Sequence, residues 1–203
     1  MTQVSSSTDA RWLDALQRLA SRSAHELRGA LNGVSVNVEV VRSRAAKASA
    51  SAAALEPFAD AASAQLDDVI ELTEALLGLT RPAPEPVAIA TETKRIVTLL
   101  AAAARADNRR LHLEDVTSLN SLGVTSAPGS AVRVALCECL LAAVHASTTT
   151  KCTAVVDTTA STIRITASDG GPISLPSDLV VVSAESGIDI QIEASAISIS
   201  FPR

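Results

Sequence analysis

The sequence contains no tyrosine, one tryptophan and two phenylalanines in 203 residues. Trp12, Phe58 and Phe201 are therefore the whole aromatic complement, and any core has to be built from Ala, Leu, Val and Ile. Such a core suits closely packed helices. The scarcity of rings also removes the surfaces on which bases stack. With a net charge of -5 and no Lys/Arg block, it argues against nucleic acid as a partner. Three cysteines form no even framework of disulfides. The opening residues MTQVSSSTDA are polar and lack the apolar centre of a signal peptide. No stretch approaches the roughly 20 apolar residues of a membrane span. These absences lead us to expect a soluble cytoplasmic chain that acts downstream of a sensor.

Hydrophobic residues make up 47% of the sequence, enough for a substantial core. From Asp9, a candidate N-cap, to Lys47 there is no proline. Leu16, Leu19, Leu27, Leu31, Val34, Val38 and Val41 recur mostly at steps of three and four, the stripe of an amphipathic helix. The small-residue stretch AAKASASAAA that follows reads equally as a helical turn or a loop. A second stripe runs Leu55, Phe58, Ala62, Leu66, Val69, Leu72, Leu76, Leu79. Two long helices with a short connection make an antiparallel hairpin. A hairpin alone leaves one apolar side bare, and two copies around a two-fold axis bury it as a four-helix bundle. A homodimer is therefore expected.

Three prolines in residues 81–86, Arg-Pro-Ala-Pro-Glu-Pro, stop the second helix and form a stiff linker. This divides the chain into a helical hairpin (1–80), a linker (81–86) and a second domain (87–203). Beyond the linker, 91–106 reads as a helix and Arg110–Val116 as a strand. An apolar helix at 130–146 follows a Pro-Gly turn. Lys151–Asp157, Thr162–Ala167, the set Ile188, Ile190, Ile192 and the set Ile197, Ile199, Phe201 alternate with period two. The expected fold is α+β: a hairpin followed by a small α/β sandwich with helices on one face of a sheet.

The segment Ser23-Ala24-His25-Glu26-Leu27-Arg28-Gly29-Ala30-Leu31-Asn32 carries the chemistry. His25 precedes Leu27 by two residues, about 200° around a helix from the buried stripe, so it faces solvent. Imidazole is a good nucleophile near neutral pH, and the adjacent Glu26 is placed to hold its tautomer or take its proton. A surface histidine among charges is ordinarily just solvated; its surroundings change that reading. His-Glu-Leu-Arg-x-x-Leu-Asn resembles the H-box of sensor histidine kinases, whose histidine is phosphorylated on the first helix of a dimerising hairpin. Ala30 stands where that family usually has proline. Gly29 stands where members that dephosphorylate their regulators have Thr or Asn, so the resemblance does not extend to phosphatase activity.

The second half resembles the ATP-binding domain of the same family in degenerate form. Residues 132–147 look like the helix bearing the N-box, with Glu138 at an Asn/Glu position. Ala142 replaces the Asn that binds Mg²⁺, and alanine offers no oxygen to a hard cation. Ser168-Asp169-Gly170-Gly171-Pro172-Ile173 is similar to the first glycine box. In the family its Asp, here Asp169, contacts adenine; its last Gly is Ile173 here. The lid and second glycine box, whose bared N–H groups hold phosphates, have no counterpart before the closing hairpin at 187–202.

The whole pattern resembles dimeric histidine phosphotransferases of the ChpT type. The resemblance implies His25 as phosphoacceptor, with Glu26 orienting or deprotonating it and Arg28 contacting phosphoryl oxygens or the partner. Gly29 and Asn32 would lie on the partner-binding face. The partners would be response-regulator receiver domains, or those and a hybrid histidine kinase. No cofactor is expected, the receiver supplying Mg²⁺. An ATP-dependent kinase with an unorthodox nucleotide site and a non-catalytic receiver-binding adaptor remain the alternatives. Elsewhere, Cys137 and Cys139 lie two apart on a helix and point away from each other, so with Cys152 they read as buried small hydrophobes rather than zinc ligands. His112 and His145 read as structural. Asp169 beside two glycines also reads as an ordinary turn.

Overall fold

The computed structural model describes residues 2–47, 51–156, 161–169 and 171–203. Two long helices come first, α1 (Thr2–Ala45) and α2 (Ala52–Thr80), antiparallel and packed along their length. Asp9 is not a cap: α1 begins seven residues earlier, since neither proline nor glycine interrupts residues 2–8. At the hairpin's far end the Arg44 guanidinium lies 4.4 Å from the centre of the Phe58 ring, and its Nη1 donates to the Ala54 carbonyl at 3.2 Å.

After α2 come β1 (Val87–Ala88), α3 (Ile89–Ala106), β2 (Arg110–Leu113), α4 (Val116–Asn120), β3 (Val124–Thr125), α5 (Gly129–Ala146), β4 (Thr149–Val156), β5 (Ser161–Ala167), α6 (Ser177–Glu185), β6 (Asp189–Glu193) and β7 (Ala196–Phe201). Five strands form a mixed sheet in the order β2-β4-β5-β7-β6, with β2 parallel to β4 and the other pairs antiparallel. Strands β1 and β3 make a separate two-residue pair.

Period-two alternation decides which face of the sheet meets the helices. Cys152, Ile163, Ile165, Ile197, Ile199 and Phe201 turn inward beneath α5, and α3 packs on β2. Arg164 and Glu193 pair at 2.6 Å, and Lys151 and Glu114 at 2.7 Å, on the polar strand positions. The molecule is thus α+β, a helical hairpin followed by a mixed sheet with helices on one face.

Helices α4 and α6 and the short strands β1 and β3 go beyond expectation. The strand at Arg110 ends at Leu113 because Asp115, at φ 52°, caps α4 through the Ser118 N–H at 3.1 Å. Helix α6 was not anticipated: its Leu-Val-Val-Val run has strand-like composition, yet Leu179 and Ser183, four apart, are the positions it buries. The anticipated strand reaching Asp157 is seen to Val156; Asp157 lies outside the described residues. Helix α5 is apolar and long enough to cross a membrane by composition, but most of it is buried in the core.

The core does not stop at the linker. Ala15 and Leu19 of α1 and Leu72, Ala75 and Leu79 of α2 belong to one buried cluster with α3, α5 and the sheet. At its centre Arg133, on α5, is 2% exposed. Its Nε donates to Glu92 at 2.8 Å, and its other nitrogens donate to the carbonyls of Gly78, Leu79 and Arg81. Those carbonyls end α2 and have no partner within the helix. Trp12 lies across the same guanidinium, 5.4 Å from ring centre to carbon. Helices α1, α2 and α3 thus meet at one side chain of α5. Near the linker, Gly129 passes so close to Ala83 that an added Cβ would lie 2.3 Å from the Ala83 Cβ.

Candidate functional site

His25 sits midway along α1, exposed, as the 200° offset from Leu27 requires. Leu27 itself packs against the core. Arg28, Gly29 and Asn32 follow His25 at spacings of three, four and seven, so they continue its face of the helix, and all three are exposed. A Cβ built at Gly29 meets nothing within 4 Å, so the helix beside the imidazole is bare backbone open to solvent. Glu26, one residue on, is half-buried. No hydrogen bond joins Glu26 to His25 among the described residues. The structure therefore groups His25, Arg28, Gly29 and Asn32 on one open face and sets Glu26 at its margin.

On its other side His25 borders a hollow of about 520 Å³ lined by Ser21, Arg22, Glu26, Ala103, Ala106 and Asp107. The last three belong to the end of α3, so the phosphoacceptor candidate stands at the seam between hairpin and second half. Sequence reasoning did not find this seam. Its signal is the row Arg11, Arg18 and Arg22 on the turns of α1 preceding His25. Arg11 pairs with Asp178, Arg18 with Glu138, and the Arg22 guanidinium lies 3.5 Å from the His145 Nε2. Partial burial, reinforced by Arg22 and Arg109, pushes the pKa of His145 down. Neither His145 nor His112 is a core histidine; both are exposed.

Glu138 and Ala142 lie on α5 beside Pro172, Ser174 and Pro176, around a cleft into which Arg18 also reaches. Asp169 accepts from the hydroxyls of Ser147 and Thr148 and from the N–H groups of Thr148 and Thr149, both at 3.2 Å. These bonds hold its carboxyl at about 2. Asp169 thereby clamps the loop between α5 and β4; Gly170, part of the expected turn, lies outside the described residues. Ile173 is buried.

Cys137, Cys139 and Cys152 are all buried and free, and burial pushes the thiols of Cys137 and Cys152 up to about 12. Among the described residues no three His, Cys, Asp or Glu side chains converge as metal ligands would.

No protein-family model matches the chain. No curated protein matches it either. Among solved structures, the histidine kinase AdeS of Acinetobacter baumannii is similar at a TM-score of 0.40 and 13% identity, over 88% of this chain and 97% of that one. A superposition this loose carries no argument about activity.

Proposed function

We propose that the protein is a histidine phosphotransferase of a two-component phosphorelay, with His25 as the phosphoacceptor. The observation that carries this reading is the open face of α1, where a solvent-exposed imidazole stands beside the unobstructed backbone of Gly29, flanked by Arg28 and Asn32. A receiver domain bearing an aspartyl phosphate docks there. A ring nitrogen of His25 attacks the phosphorus in line, the bond to the aspartate oxygen breaks, and the receiver recovers its carboxylate. A second receiver aspartate then takes the phosphoryl group from the phosphohistidine. Such transfer depends on positioning and charge neutralisation. The receiver supplies Mg²⁺, and Arg28 meets phosphoryl oxygens or the receiver. Glu26 acts on the imidazole only if partner docking brings the two together.

ATP has no part in this reading. Its support is that Asp169 already accepts four hydrogen bonds within the protein, that Ala142 offers no ligand atom, and that Arg18 occupies Glu138. We further propose that residues 1–80 form the dimerising and phosphotransfer unit, 81–86 a linker, and 87–203 a degenerate ATPase-like unit, working in the cytoplasm where receivers reside. Exposed Leu31, Val38, Leu66 and Ile70 along the hairpin support a homodimer.

The test is a transfer assay. Wild type and His25→Ala are mixed with labelled, phosphorylated receiver domains, beside a control with ATP alone. The expected result is acid-labile label on the wild type only, and only with receivers. Label from ATP alone makes the protein a kinase. Absence of label across a broad receiver panel makes it a binding adaptor.

A further inference from the structure

Strand β2 is an edge of the sheet, with β4 as its one partner strand among the described residues. The Arg110 N–H donates to the Thr148 carbonyl at 2.8 Å and the Glu114 N–H to the Cys152 carbonyl at 2.9 Å. In a parallel ladder alternate residues bond to the neighbour. Arg110, His112 and Glu114 therefore face β4, and the main-chain groups of Leu111 and Leu113 point to the unpaired edge.

That edge opens on a groove of about 680 Å³ whose other walls are α2 and α3. All four residues of β2 line it. A groove over a strand's face would meet only every second residue, so this one runs along the edge. Leu72 and Val97 give it an apolar floor. Arg105 and Arg110 stand exposed in its lining, and neither guanidinium has a partner among the described residues. Other charges there are engaged: Lys94 donates to Asn120 at 2.6 Å and Glu71 accepts from Thr98 at 3.1 Å. Asp68, on the α2 wall, is the one carboxylate of the lining without a partner among the described residues. The unspent charge beside the strand is positive.

We propose that this groove binds an extended, acidic segment of a partner protein, which adds to the sheet as a further strand beside β2. Main-chain bonds to Leu111 and Leu113 supply the pairing, alternate apolar side chains settle on Leu72 and Val97, and carboxylates meet Arg105 and Arg110. A compact anion would satisfy the arginines but leave the strand edge unpaired and the floor wet, which favours the peptide. The site lies on the α2 side of α3, away from His25, and does not depend on the phosphotransfer reading.

The probe is a fluorescein-labelled, capped hexapeptide of alternating Glu and Val. It is titrated into the full chain with fluorescence anisotropy and ¹⁵N amide shifts as readouts. Binding that shifts the Leu111 and Leu113 amides is expected. The same peptide N-methylated at alternate residues keeps its charge and loses donors; it is expected to bind at least about tenfold more weakly, as is the wild-type peptide to the Arg105→Glu/Arg110→Glu protein. Those two arginines are exposed, and circular dichroism checks that the variant folds. Absence of binding at millimolar peptide overturns the proposal. So do equal binding of a Lys-Val peptide, indifference to N-methylation, displacement by inorganic phosphate at equal concentration, or shifts confined to the α1 face around His25.

Discussion

At Gly29 two demands conflict. An exposed glycine in a helix interior costs about 1 kcal/mol relative to alanine, and the space around it would accept a methyl group freely. Gly29→Ala should therefore raise stability by up to about 1 kcal/mol in urea denaturation. If a receiver must approach the backbone beside His25, the same variant transfers phosphoryl groups more slowly than wild type. Asp169 presents the reverse case, a carboxylate committed to structure. Its folded value of about 2 lies below the ordinary 3.8 because of its bonds from Ser147 and Thr148. A depressed carboxylate stabilises the fold above its unfolded value, and that contribution is lost as pH falls through the folded one. Asp169→Ala should melt below wild type at pH 7, and the gap should close between about pH 4 and pH 2 in a thermal series. The exposure of His25 was legible from its two-residue offset to Leu27. The hollow that His25 and Glu26 share with the end of α3 was not, because it depends on an approach from distant sequence.

Among elements, α5 shows what composition conceals. Read as an apolar helix, it hides its one cation, Arg133, which satisfies the end of α2 and pairs with Glu92, itself 1% exposed. Glu92 also pairs with Arg95 at 2.8 Å, so removing Arg133 does not strand the carboxylate and costs less than the roughly 3–5 kcal/mol of an orphaned buried charge. Arg133→Met should cost about 1–3 kcal/mol by chemical denaturation, chiefly through the carbonyls at the end of α2 that it leaves unsatisfied. Adding Glu92→Leu should cost less than the sum of the two single changes, since the two side chains bond each other directly. A lone arginine within an 18-residue apolar helix was the available signal. The hairpin and the period-two strands were readable because burial follows their periodicity directly. Helix α6 was not, because Val-Val-Val suits a strand and only its packing selects two positions four apart.

At the scale of the molecule the proline-rich segment marks where α2 ends but not where the core ends. The fully buried apolar residues of the hairpin helices, Ala15, Leu19, Leu72, Ala75 and Leu79, lie near the second half, while Leu31 at 48% and Leu66 at 47%, midway along, stand exposed. These exposed apolar residues are the surface on which the proposed dimer would close. Sedimentation equilibrium should give twice the chain mass for wild type and a single chain mass for Leu66→Glu/Ile70→Glu, with the secondary structure retained. The continuity of the core across the linker escaped the sequence because it rests on Trp12, Ala15 and Leu19 meeting α3 and α5, contacts that no local pattern announces.

The near-absence of aromatic residues gives Trp12 one more consequence. With no tyrosine in the chain, the ultraviolet emission of the protein comes from a single indole, and that indole lies against Arg133 where α1, α2 and α5 converge. Any event that loosens the hairpin from the second half wets this ring and shifts its emission to the red. The unlabelled wild-type protein thus carries a native optical gauge of its own seam, readable in real time as partners are added.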